Sequence, residues 1–126
     1  MITYNDLIGV PFKYGGRDNN GYDCFGLILE LLKRNGINAH DFGWNNDGAI
    51  IQSMMLSASE TGRWEQDTLR VNNILLFKIG RYVRHVGFYI GNGKFIHCWE
   101  RSNGVVVERL NEDWSTRTVG IYKYVG

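Results

Sequence analysis

GVPFKYGGRDNNGYDCFGLILELLKRNG, residues 9–36, joins two kinds of chain. Residues 9–23 are rich in glycine, asparagine and aspartate and read as an ordered, turn-rich loop. From Cys24 onward, Leu27, Ile28, Leu31 and Leu32 recur at helical spacing on one face. Lys33 and Arg34 fall in the last turn, and Gly36 supplies the stop. Asp23 stands where an N-cap belongs, because its side-chain oxygen can accept from a free N–H of the first turn. The stretch therefore predicts a helix over 24–36 with a cysteine at its first turn.

Upstream and downstream the signal changes. AIIQSMMLSASE (49–60) predicts a second helix, with Asp47 or Gly48 near its start. Beyond it, short runs with period two predict strands near 73–79, 84–91, 94–99, 104–110 and 118–125. Helices followed by an antiparallel sheet make an α+β domain. The 126 residues fit one domain, residues 1–126, with 37–70 as an insert between its two informative blocks. With 44% hydrophobic residues, four tryptophans, seven tyrosines and six phenylalanines, the chain can fill a core.

Composition also excludes. A net charge of +1 argues against nucleic acid as a partner. No apolar run approaches the ~20 residues of a membrane span. The start, MITYNDLIGV, lacks the pattern of a secretory signal, so the expectation is a chain made in the cytoplasm. Two cysteines, Cys24 and Cys98, form no Cys-x-x-Cys pair, and the three histidines lack metal-site spacing, so no metal site is expected.

Chemistry concentrates at Cys24. Free N–H groups and the dipole at a helix N-terminus favour an anion, so the thiolate, the nucleophilic form, is expected to be stabilised there. The amides of that turn, around Asp23, Cys24 and Phe25, can also hold the oxyanion of an attacked carbonyl. A nucleophilic cysteine needs a base, and histidine is the usual one. His40 lies in a polar loop and reads as solvated. His85 and His97 flank a single hairpin, HVGFYIGNGKFIHC (85–98).

Parity decides whether these two histidines meet. With a two-residue Asn92-Gly93 loop they fall on opposite faces. With a three-residue Gly91-Asn92-Gly93 loop, His97 faces Gly87 and His85 lies one diagonal step away. The longer loop puts Val86, Phe88, Ile90, Ile96 and Cys98 on an apolar face. It puts His85, Gly87, Tyr89, Phe95, His97 and Trp99 on the other, as a site wall. Gly87 then leaves room between the imidazoles, Cys98 points away from Cys24, and His97 orients His85 as an acid or amide does in other triads.

These residues resemble the NlpC-type cell-wall cysteine peptidases. The resemblance rests on a Gly-Gly turn, Gly-Tyr-Asp-Cys (21–24), Gly26-Leu27 opening a helix, the strand NILLF (73–77), and HVGFYIGNGKFIHC with its histidines twelve positions apart. It implies a papain-like domain, with N-terminal helices packed on a five- to six-stranded antiparallel sheet. It also implies cleavage of peptidoglycan stem peptides at the γ-D-glutamyl–diamino acid bond, without a cofactor. Cys24 is then the nucleophile, His85 the base and His97 the orienting residue. The surface expected to meet substrate comprises Phe12, Tyr14, Gly15, Gly16 and Asp23 beside the nucleophile, with Tyr89 and Trp99 on the histidine wall.

The sequence departs from the family pattern in three places. Phe25 follows the cysteine where many members have serine. Phe12 stands where many have a tyrosine whose hydroxyl helps the site. Asn73 stands where aspartate is frequent. Trp44 and Trp64 are candidates for the rim of the cleft or for packing. The aromatic after the cysteine and the ending GVVVERLNEDW…VGIYKY resemble the phage tail-associated subgroup, which implies other tail proteins as partners and delivery by the virion. Two other readings stand beside the peptidase: a tail-assembly module that cuts nothing, and a thiol amidase or acyltransferase on the same scaffold.

Overall fold

In the computed structural model, residues 3–41 and 63–126 are described. A short 3-10 turn, Asn5–Leu7, leads into a two-stranded ribbon of β1 (Arg17–Asp18) and β2 (Gly21–Tyr22), and then helix α1 (Cys24–Arg34). Strands β3 (Trp64–Gln66), β4 (Ile74–Ile79), β5 (Tyr82–Gly91), β6 (Lys94–Trp99) and β7 (Gly104–Arg109) follow, then α2 (Glu112–Arg117) and β8 (Thr118–Tyr124). The larger sheet has six antiparallel strands in the order β3-β8-β4-β5-β6-β7. This is the expected α+β architecture. The helix expected over 49–60, and Trp44, lie outside the described residues. No helix among the described residues is long and apolar enough to cross a membrane.

The α1 helix forms where its spacing says. Asp23 Oδ1 accepts from Gly26 N at 2.6 Å, satisfying one free N–H of the first turn. Asn35 ends the helix, and Gly36, with φ +79°, turns the chain away. The buried face of Phe25, Leu27, Ile28, Leu31 and Leu32 packs against Ile74, Leu76, Val86, Phe88, Ile96 and Cys98 of the sheet. Each such side chain contributes on the order of 1.5–3 kcal/mol by leaving water.

The opposite face of the sheet is also covered. Leu75, Phe77 and Phe95 pack there with Trp114 of α2. Coverage on both faces explains why ILLF in β4 is uninterrupted rather than alternating. The strand expected over 104–110 stops at Arg109, and Asn111 caps α2 by accepting from Trp114 N at 3.0 Å. Trp64 is packing rather than rim: it is buried on edge strand β3 with its ring 4.9 Å from Tyr124. Asn73 is structural too. Its Nδ2 donates to Asp67 Oδ2 and to the Thr68 carbonyl.

The hairpin corrects one expectation while preserving its consequence. The turn is the two-residue Asn92-Gly93, both at positive φ, as a type I′ turn requires. The additional residue sits in the strand instead, as a bulge between Tyr89 and Gly91. Phe88 therefore pairs with Ile96 and Tyr89 with Phe95, so the parity that brings His85 and His97 together survives.

Candidate active site

His85 sits on β5 opposite Phe77, directly beside a second bulge. Phe77 pairs with His85 and Lys78 with Val83, so Arg84 is the additional residue. Regular strands alternate faces, yet Arg84 and His85 line the same cavity; the bulge re-aims them. His85 Nε2 lies 2.7 Å from His97 Nδ1, and both rings are buried.

Aromatic rings enclose the pair. Phe77 stacks on His85 at 5.8 Å, Trp99 lies 5.3 Å from His85 and 5.6 Å from His97, and Trp114 lies 5.1 Å from His97. Gly87 does not open a gap between the imidazoles. Its missing Cβ makes room for Phe95 and Phe77, which would lie 2.8 and 3.0 Å from it. This dry cage holds the His85 imidazole well below its ordinary pKa, first by desolvation and then by the neighbouring His97. His97 is lowered by burial as well, against an opposing contribution from Glu108.

Cys24 approaches from the other side of a cavity of about 400 Å3, lined by Phe12, Tyr14, Cys24, Ile79, Arg84, His85, Trp99, Glu100 and Arg101. With His85 Nε2 committed to His97, Nδ1 is the nitrogen left for the thiol. The Val86 and Phe25 amides favour the thiolate. The expected thiolate stabilisation is nevertheless outweighed. Burial, then the charge of adjacent Asp23, push the Cys24 thiol well above its ordinary range. Burial therefore opposes charge on the thiol and on the imidazole when each is taken by itself. A proton passing from sulfur to His85 would create both charges together, where they attract.

The remaining expected residues divide. Phe12, Tyr14 and Trp99 reach the cavity, and the Tyr14 hydroxyl donates to the Glu100 carboxylate. Asp23, Gly15, Gly16, Phe25 and Tyr89 are not among its lining. Asp23 works from behind the helix start, with Oδ1 2.7 Å from Arg17 Nη1, while Arg17 Nε bonds Asp41. Gly16 and Gly26 allow this approach: a Cβ on Gly26 would stand 2.1 Å from the Gly16 carbonyl oxygen. Phe25 is fully buried in the core. Tyr89 shares the wall's face but sits at the hairpin end, its hydroxyl accepting from Gly93 N. His40 is exposed, as expected.

Cys98 is core but does not point away from Cys24. Both thiols are free and belong to the helix-side core. Cys98 donates to the Tyr22 carbonyl at 3.2 Å, and burial pushes its thiol up to about 12. Arg84, Glu100, Arg101, Glu108 and Trp114 join the expected residues at the cavity or around the histidine pair. Asn111 followed by two acids is a helix-start signal that would have placed Trp114.

The NlpC/P60 family model matches residues 9–123. Murein DD-endopeptidase MepS/Murein LD-carboxypeptidase of Escherichia coli K12 is 30% identical over 118 residues, covering 93% of this chain and 57% of that protein. The γ-D-glutamyl-L-lysine dipeptidyl-peptidase of Bacillus subtilis is 24% identical over 111 residues, covering 84% and 33%. The chain thus spans little more than half of the first relative and a third of the second. Among solved structures, an NlpC/P60 family protein from Bacillus cereus superposes with a TM-score of 0.67 at 23% identity, over 95% of this chain and 37% of that one.

Proposed function

Because the chain belongs to the NlpC/P60 family, we propose that it is a cysteine peptidase hydrolysing amide bonds in peptidoglycan stem peptides, with Cys24 as nucleophile, His85 as base and His97 as orienting residue. One observation carries the reading: a histidine sharing the cavity of Cys24 is held through its far nitrogen, at 2.7 Å, by a second buried histidine. Nucleophile, base and orienter are what acyl transfer requires.

In this reading His85 Nδ1 takes the thiol proton as sulfur attacks the scissile carbonyl. The Gly26 and Leu27 amides are committed to Asp23, so the oxyanion falls to the Cys24 amide. His85 then protonates the leaving amine, and water resolves the thioester by the same route in reverse.

The bond we favour is γ-D-glutamyl–diamino acid. A γ-linked glutamyl residue keeps its α-carboxylate free, set off from the scissile carbonyl by Cα and the two side-chain methylenes. Arg84 and Arg101 line the cavity with their guanidinium groups over Tyr82 and Trp99, at 5.7 and 5.3 Å, and supply cations for it. The name of the B. subtilis relative supports this bond; that of the E. coli relative favours a DD bond as the second reading. The setting we propose is a phage tail, supported by the resemblance of Phe25 and the C-terminal block to tail-associated peptidases. Immunodetection of the chain in purified particles tests it. Digestion of purified tri- and tetrapeptide muropeptides, with Cys24→Ala alongside, tests the chemistry and locates the bond by mass spectrometry.

A further inference from the structure

The line of polar contacts continues past His97. While Nδ1 of His97 meets His85, its Nε2 lies 2.5 Å from Glu108 Oε2. The sheet register explains the approach. His97 pairs with Val106 on β7, and Glu108, two residues on, stands on the same face opposite Phe95. The His97 side chain is fully buried, whereas that of Glu108 is 38% exposed.

We propose that Glu108 is a positioning residue that fixes the protonation pattern of both histidines and makes His85 competent to take the Cys24 proton; the proposal rests on the peptidase reading of the site. A carboxylate only accepts hydrogen bonds, so His97 must carry its hydrogen on Nε2. In a neutral ring the lone pair is then on Nδ1, which accepts from His85. His85 must in turn carry its hydrogen on Nε2, and its Nδ1 is left with the lone pair that faces the cavity. Each bond dictates the next, and the end of the chain is the base.

The alternatives are costly. If His85 left Nε2 bare, His97 would have to donate from Nδ1. With Nε2 also protonated, His97 would be a cation at rest inside the ring cage. With Nε2 bare, two acceptors would face each other at 2.5 Å. Glu108 supplies a second quantity, charge. A neutral imidazole orients its neighbour but offers no counter-charge to the imidazolium that forms on His85; Glu108 offers one through His97. Its partial exposure keeps the carboxylate in contact with water, so no isolated anion is buried.

The test is Glu108→Gln in the full chain, with three readouts. Thermal melting within a few degrees of wild type shows that this half-exposed, isosteric change leaves the fold intact. On muropeptides, kcat is expected to fall about ten- to a hundred-fold, part of the ~10²–10⁴ that a positioned base supplies, with KM unchanged. In the His97→Asn background, where an amide oxygen accepts from His85 without a tautomer to set, Glu108→Gln is expected to have no further effect. Proton–nitrogen correlation spectra of the imidazoles are expected to show hydrogen on Nε2 of both His85 and His97 in wild type, and a mixture in Glu108→Gln. Unchanged tautomers, or a kcat loss that adds in full to His97→Asn, would overturn the proposal. The spectra need no substrate. An uncut muropeptide with the tautomers in place would sink the peptidase reading and leave the role of Glu108 standing, whereas mixed tautomers in wild type would sink the role of Glu108 alone.

Discussion

Replacing Asp23 separates helix capping from electrostatics at the nucleophile. Its Oδ1 accepts from Gly26 N at 2.6 Å and pairs with Arg17 Nη1 at 2.7 Å, and its side chain is 6% exposed. Asp23→Ala removes an N-cap, worth ~1 kcal/mol. It also removes the ion pair. Arg17, at 27% exposure, keeps Asp41 and the Gly16 carbonyl, so that loss lies between the surface and buried cases, at ~1–2 kcal/mol. The expected destabilisation is about 2–3 kcal/mol, a fall in melting temperature of roughly 10 °C for a domain of this size. Asn also caps helices, so Asp23→Asn is expected to lose only the ion-pair part. Both variants remove the charge that, after burial, most disfavours the thiolate, so Cys24 alkylation at fixed pH is expected to quicken in each. Urea unfolding and iodoacetamide kinetics measure the two effects. A loss below ~0.5 kcal/mol in Asp23→Ala, or an unchanged alkylation rate in Asp23→Asn, would refute this division of roles.

Three further expectations follow from the site. Both buried histidines bind protons less readily folded than unfolded, so stability should fall as pH drops below ~6.5, by up to ~1.4 kcal/mol per pH unit for each; urea melts between pH 7.5 and 5.5 that show flat stability would contradict this. Native alkylation should label Cys24 and spare Cys98, with a rate still rising above the ~8.5 of an ordinary thiol; a plateau near pH 6 would reveal a pre-formed thiolate–imidazolium pair instead. Arg84→Gln and Arg101→Gln should each raise KM for a stem peptide with a free α-carboxylate about tenfold, the worth of one charge-assisted hydrogen bond, and leave KM for the α-amidated peptide unchanged; equal effects on both peptides would remove the carboxylate role.

Local signals are legible in the sequence where the chain obeys them. Leu27, Ile28, Leu31 and Leu32 behind Asp23 announce α1, because a cap and a repeating face are properties of neighbours in sequence. Face sharing by His85 and His97 follows from period two. Parity gives a face but no height, which is why Tyr89, on the same face, lies at the hairpin end away from the cavity. Bulges interrupt the period without a signature in residue type, so the placement of Arg84 beside His85 was invisible. Glu108 on a strand reads as an ordinary solvent-facing acid; only the register of β6 against β7 brings it to His97. The Cys24 thiol depends on burial and on the charge of Asp23, and a helix N-terminus read by itself predicts the opposite shift.

The most direct measurement is mass spectrometry of muropeptides incubated with the protein and with Cys24→Ala. Wild type is expected to split the stem peptide into one product pair, at the γ-D-glutamyl–diamino acid bond, and Cys24→Ala, folded as wild type, to leave it whole. Intact peptide with the wild-type protein, or cleavage that survives in Cys24→Ala, would contradict the peptidase reading.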